Sequence, residues 1–331
     1  MRVRFVLRTA GVAVLTAGLV LVATPPTAQG EWGGAPALPP CPTATPGHPA
    51  ADQPPGAVPP EGVPPEVWAA SPGPLAPPGA AACRAVPTSV EAAAAGVPTP
   101  RPGYHHLGAT TVEPAWSGLF GRLSVRDTGV RRGTYDFVAT RLMAKRATGP
   151  GRVAWLEVGW AETGWSGGGA QRLYTFDTNA MSWVFYDQYD IGDGDEIWVY
   201  LHTDTDAPRP QWQAWLWWDG RWHLLTAQEL PLTGRAQLEQ YVEVHVDHGP
   251  ADWPGGRIAG PRARPRPRAI AVPPIRVDQV RVKTAPDGVL RPWSAGAVAT
   301  TGPGAPDTYC LVWHRAYDAW SAGDCAATVQ E

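Results

Sequence analysis

From Tyr104 onward, apolar and polar residues alternate over short stretches, and Gly, Asp, Asn or Pro separates one stretch from the next. A period of two marks a strand with one buried face. The pattern predicts strands at Leu119–Val125, Asp136–Ala144, Val153–Ala161, Arg172–Phe176, Ser182–Tyr189 and Glu196–His202. Further strands are expected at Gln211–Trp218, Trp222–Thr226, Tyr241–Val246, Val277–Lys283 and Cys310–His314. Only a short turn around Gly234–Glu239 reads as helical. Many short strands with turn punctuation predict an all-β fold, an antiparallel sandwich or barrel.

Strand parity then sorts the polar groups. In Glu196–His202, Ile197, Val199 and Leu201 point one way and Glu196, Trp198, Tyr200 and His202 the other. In Glu239–Asp247, Val242, Val244 and Val246 face the core, while Tyr241, Glu243, His245 and Asp247 share the opposite face. Two strands thus offer a non-core face of aromatics and carboxylates. Aromatics are also ordinary strand formers. The alternative is a binding face in which rings hold an extended polymer and carboxylates orient or cleave it.

The chain before Tyr104 is different material. Arg2, Arg4 and Arg8 precede an uncharged apolar stretch, Ala10 to Ala23, and Thr24, Thr27 and Ala28 follow as small exit residues. This reads as a cleaved secretory signal over residues 1–28 rather than a membrane anchor. Residues 29–103 are Pro, Ala and Gly with scattered polar residues, a composition expected to form an extended spacer, stalk or pro-segment without a core. Residues 104–331 form the sandwich domain, interrupted by a Pro/Arg-rich loop at 255–274.

Composition narrows the classes. The 27 Lys+Arg balance 30 Asp+Glu, which excludes a dedicated nucleic-acid binder. No later segment has the apolar length to span a bilayer. Export permits disulfides, and the four cysteines fall into local pairs, Cys41 with Cys83 and Cys310 with Cys325. The expected protein is secreted or cell-wall associated and monomeric, with no cofactor. Its expected partner is a polypeptide substrate or an extracellular polysaccharide.

The order of motifs resembles the glutamic peptidases (eqolisins). Trp116-Ser117-Gly118 resembles their early Trp-Gly-Gly element, and Ala154-Trp155 with Val158-Gly159 resembles their Ala-Trp-Val-Gly strand. Tyr186-Asp187-Gln188-Tyr189, followed by Gly194-Asp195-Glu196-Ile197, resembles their Tyr-Glu-Trp-Tyr and Gly-Asp-x-Ile elements. Glu239-Gln240-Tyr241-Val242-Glu243 resembles a strand whose last Glu is catalytic in that family. Counting back from Tyr186 brings Gln171 to the position of the family's catalytic Gln. The resemblance spans about Thr110 to Val246 and implies a concanavalin-like (jelly-roll) sandwich with acid peptidase activity. The family's Asp-rich, Cys-containing loop is here the stretch Glu162 to Gly169, which has no cysteine.

The implied chemistry needs only a carboxylate and an amide on one water. Glu243 would take the proton as water attacks and return it to the leaving amine, while the Gln171 amide donates to the developing oxyanion. Trp116, Trp155, Trp198, Tyr200 and Tyr241 are the candidate substrate-binding rings. Other chemistries lack support. His245, Asp247 and His248 look ligand-like, but an i, i+2 strand pair with one neighbouring His is common without metal, and the Asp187–Asp195 cluster lacks calcium-loop spacing. No nucleophile elbow or phosphate loop is present. Three classes remain open: a glutamic-type peptidase, a non-catalytic carbohydrate- or wall-binding module, and a structural domain on a Pro-rich stalk.

Overall fold

In the computed structural model the described residues are Pro40, 83–85, 89–92, 103–203, 210–230, 232–247, 269–302 and 308–330. They form two sheets, whose strands are numbered β1 to β17 along the chain. The nine-stranded sheet runs, edge to edge, β1 (Cys83–Arg84), β11 (Arg221–Glu229), β10 (Gln211–Trp218), β9 (Glu196–Thr203), β4 (Gly118–Ser124), β13 (Ile275–Lys283), β17 (Ala319–Asp324) and β16 (Tyr309–Arg315). Its ninth strand, β14 (Arg291–Pro292), pairs with β13. The eight-stranded sheet runs β15 (Thr300–Thr301), β3 (Tyr104–Thr111), β12 (Gln237–His245), β5 (Phe137–Gly149), β6 (Arg152–Thr163), β7 (Gln171–Asp177), β8 (Ser182–Phe185) and β2 (Ser89–Ala92). Every pairing is antiparallel except β1 with β11. The all-β antiparallel sandwich expected from the alternating pattern is the observed architecture.

Inward-facing residues of both sheets make one core. Leu119, Leu123, Val199 and Leu201 from the larger sheet pack with Leu142, Val158, Leu173 and Val242 from the smaller. Four tryptophans, Trp160, Trp212, Trp293 and Trp320, are fully buried. Each indole N–H donates to an internal acceptor, for example Trp160 to Ser124 O at 2.9 Å and Trp320 to Gln240 Oε1 at 2.7 Å. Buried tryptophan is tolerated on that condition, and it accounts for part of the tryptophan excess.

Three expectations change. The helical turn at Gly234–Glu239 is instead a turn at 232–234 that feeds β12, because pairing to β3 and β5 on both sides extends the backbone from Gln237. Strands β3 and β17 were not expected, since His105, His106 and Gly108 in one and small residues in the other blur the period of two. Within the Pro-rich spacer, β1 and β2 each pair with an edge strand of one sheet. The Cys310–Cys325 disulfide is formed and ties β16 to the short helix α1 (Cys325–Thr328). Cys41, the signal segment, His248 and residues 255–268 lie outside the described residues.

Candidate active site

Cross-strand partners in an antiparallel sheet share a face, so pairing registers place each polar group on the eight-stranded sheet. On the face turned away from the core, one row reads His106, Glu243, Ala139, Ala161 and Arg172. The next reads Gly108, Tyr241, Arg141, Gly159 and Tyr174, and the third Thr110, Glu239, Met143, Glu157 and Phe176. Large side chains therefore surround small ones. Ala139, Ala161 and Gly159 form a low floor between Glu243 and Arg141 on one side and Tyr174 and Arg172 on the other. Gly159 cannot be enlarged cheaply, because a Cβ there would stand 1.9 Å from Thr140 O.

The charges on this face are interlocked. Arg141 is buried and donates through Nη1 to Glu243 Oε2, and its Nε lies 2.7 Å from Glu157 Oε2. The second contact is an ion pair at close range without hydrogen-bond alignment. Glu243 Oε1 faces His106 Nε2 at 3.8 Å. Beside them, Glu239 Oε1 receives Lys145 Nζ and the Thr110 hydroxyl (2.9 Å), and Thr110 Oγ1 stands 3.2 Å from Tyr241 Oη. The guanidinium of Arg141 lies 5.9 Å from the Tyr241 ring centre.

Burial sets the proton affinities. Removal from water pushes the Glu157 carboxyl up to about 7; Glu243 and Glu239 add to the rise, and Arg141 only partly opposes it. Burial works against the Arg141 charge, but Glu243 and Glu157 outweigh it and hold that guanidinium protonated. Burial also pushes the Tyr174 hydroxyl well above its ordinary value, and Tyr174 Oη has no hydrogen-bond partner among the described residues. Desolvation lowers His106, with Glu243 pulling the other way.

Of the residues expected to act, Glu243, Tyr241 and Trp155 stand on this face, Trp155 stacked on Phe176 at 5.7 Å. Gln171 does not join them. Its row is Glu162, Val138, Val244 and His105, the opposite face of the same sheet, so Gln171 and Glu243 cannot share one water in this arrangement. Gln171 Nε2 instead donates to Glu162 Oε2 (3.0 Å) and Asp127 Oδ1 (3.3 Å). Counting back from Tyr186 sets a separation along the chain but not a face, and one step along a strand turns a side chain through the sheet.

Trp198 and Tyr200 belong to the nine-stranded sheet and are buried among Phe120, Trp215 and Trp222, so they present no stacking platform. Their parity was right, but packing over that face claims them. Trp116 is half-buried against the main core and bridges to Ala236. His245 and Asp247 are taken up locally: His245 Nδ1 lies 2.5 Å from Tyr135 O, and Asp247 Oδ2 accepts from Tyr135 N at 3.1 Å. Arg141, Glu157 and Tyr174 went unremarked in the sequence. The available signal was a charge at the non-core parity of two apolar strands, in Thr140-Arg141-Leu142 and Leu156-Glu157-Val158.

No family model and no curated protein matches this chain. Solved structures similar to it include two peptidases. One is a scytalido-glutamic peptidase with a transition-state analogue inhibitor, at 12% identity and a TM-score of 0.45, covering 66% of this chain and 97% of that one. The other is SCP-B, a member of the eqolisin family of peptidases, in a complex with the tripeptide Ala-Ile-His, at 13% identity and a TM-score of 0.41, with the same coverage of both chains.

Proposed function

We propose that this chain is a secreted acid hydrolase of polypeptides, working on the outer face of its eight-stranded sheet. The observation that carries the reading is the sharing of Arg141 by Glu157 and Glu243 beside the unpartnered hydroxyl of Tyr174. A carboxyl whose burial raises its proton affinity is suited to the acid role beside a second carboxyl. Glu243, hydrogen-bonded and ion-paired to Arg141, takes the proton from an attacking water. Glu157, protonated below about pH 7, supplies one to the leaving amine. Tyr174 donates to the developing oxyanion, the part first expected of Gln171. The Cys310–Cys325 disulfide agrees with an oxidising compartment.

The polysaccharide-binding alternative loses Trp198 and Tyr200, the rings on which it rested, to burial. The test is hydrolysis of denatured protein by the full-length chain between about pH 3 and 8. Activity should fall as pH rises through about 7, where Glu157 ionises. Glu243→Gln and Glu157→Gln should each lower the rate by about 10²–10⁴. Hydrolysis unchanged in both variants would remove this face from the chemistry.

A further inference from the structure

Next to Glu243 the same face carries a run of rings that the proposed acid–base chemistry leaves unused. Phe137 lies two residues along β5 from Ala139, the cross-strand partner of Glu243, and so on the same side of the sheet. Its ring meets Tyr104 at 5.9 Å, Trp165 at 5.8 Å, Trp183 at 5.9 Å and His245 at 5.5 Å. Trp165 in turn touches Tyr135 at 6.4 Å and Trp183 at 6.1 Å. Most of these contacts are edge-on or tilted, and Phe137 itself is buried among its neighbours. Trp165 is 36% exposed and Tyr135 50%, among the few large apolar side chains that the described residues leave so open. Tyr135 and Trp165 are therefore the open end of a continuous aromatic cluster bordering the candidate site, not isolated exposed rings.

Two geometric facts indicate what it would hold. Two residues along a strand span about 7 Å, the same spacing as alternate side chains of an extended peptide. A peptide whose scissile bond lies at Glu243 thus brings one nearby side chain to the exposed rings of Trp165 and Tyr135 beside Phe137. Among the described residues, two cations beside the stripe are already matched within the protein: Arg131 with Asp136, and Arg172 with Asp187. An arriving Lys, Arg, Asp or Glu finds little unmatched charge, whereas a large uncharged side chain gains ring contact and loses water.

We infer that the Tyr135–Phe137–Trp165–Trp183 stripe is a specificity subsite for an aromatic or large aliphatic side chain of the polypeptide substrate, at one fixed position beside the cleaved bond. This rests on the hydrolase reading above and names the substrate feature that reading leaves open.

The experiment uses the full-length chain at acidic pH and peptides identical except for Phe or Ala at successive positions around one bond, with cuts mapped by mass spectrometry. At one position Phe should raise kcat/KM over Ala by about tenfold or more, the scale of a hydrophobic pocket contact. Trp165→Ala and, independently, the more exposed Tyr135→Ala should bring that ratio towards one. Equal cutting of Phe and Ala peptides at every position, or a ratio that survives both substitutions, overturns the inference and leaves hydrolysis standing. If no peptide is cut, the hydrolase reading fails, and binding decides the inference. The Phe peptide should then quench tryptophan fluorescence with at least about fivefold lower Kd than the Ala peptide; equal Kd values overturn it.

Discussion

Glu157 shows how one buried side chain can link stability to function. Its carboxyl has an ordinary affinity for protons in the unfolded chain and a raised one, about 7, in the fold. The native state therefore binds more protons than the unfolded state between about pH 4.5 and 7, and stability must fall as pH rises through that window. The full effect is on the order of 3 kcal/mol, absent below the window and complete above it. Glu157→Gln should flatten this slope in urea titrations at successive pH values; an unaltered slope would assign the effect to another group. Tyr174 makes the converse case. Its buried hydroxyl lacks a partner among the described residues, a cost of about 1–3 kcal/mol. Tyr174→Phe should leave the protein as stable or more so in thermal melts while lowering hydrolysis by about 10²-fold. A group kept at a cost to stability is expected where the chemistry uses it, and a Phe variant of full activity would break that link.

At the level of the strand, the floor of the site depends on what two glycines omit. A Cβ at Gly159 would come within 1.9 Å of Thr140 O, and one at Gly108 within 1.9 Å of Gln240 O. Backbone cannot yield as a flexible side-chain end can, so Gly159→Val should destabilise by about 3 kcal/mol or leave the chain unable to fold. Denaturant midpoints measure it, and a neutral Gly159→Val would mean that β5 and β6 part easily. The strands themselves were largely legible: Gln211–Trp218 matches its expected bounds, and the parity of β9 and β12 sent Val199 and Val242 inward as expected. The site was less legible, because parity holds within a strand and pairing register decides between strands. Gln171 and Glu243 had plausible residue types and plausible separation, yet one step of register in β7 puts them on opposite faces. Tyr200 failed differently. Alternation sends a residue away from the core between the sheets, but whether other packing then covers it is a tertiary fact absent from a period of two.

The whole molecule extends across a boundary that composition drew at Tyr104. A segment rich in Pro, Ala and Gly and poor in large apolar residues predicts no core of its own, and the described residues show β1 and β2 borrowing sheets instead of building one. Cys83 and Arg84 pair with His223 and Leu224, and Ala85 N donates to Leu224 O at 2.8 Å. Residues 89–92 pair along Phe185 to Ser182. The two short strands therefore cover the open edge of β11 in one sheet and of β8 in the other. An uncovered edge is a template for pairing with other chains, and short added strands are one way of blunting it. Sequence reasoning missed this because four residues such as Ser89–Ala92 carry too short a pattern to announce a strand; the partner edge, not local preference, makes them extended. A chain starting at Gly103 should then fold, since its core is intact, but be less stable by on the order of 3 kcal/mol than one starting at residue 82, through lost ladder hydrogen bonds. It should also associate with rising concentration where the longer chain does not. Urea midpoints and sedimentation of the two chains side by side decide the matter. Equal midpoints and equal monodispersity would show that β1 and β2 merely rest on the edges, and the spacer would end where composition first placed it.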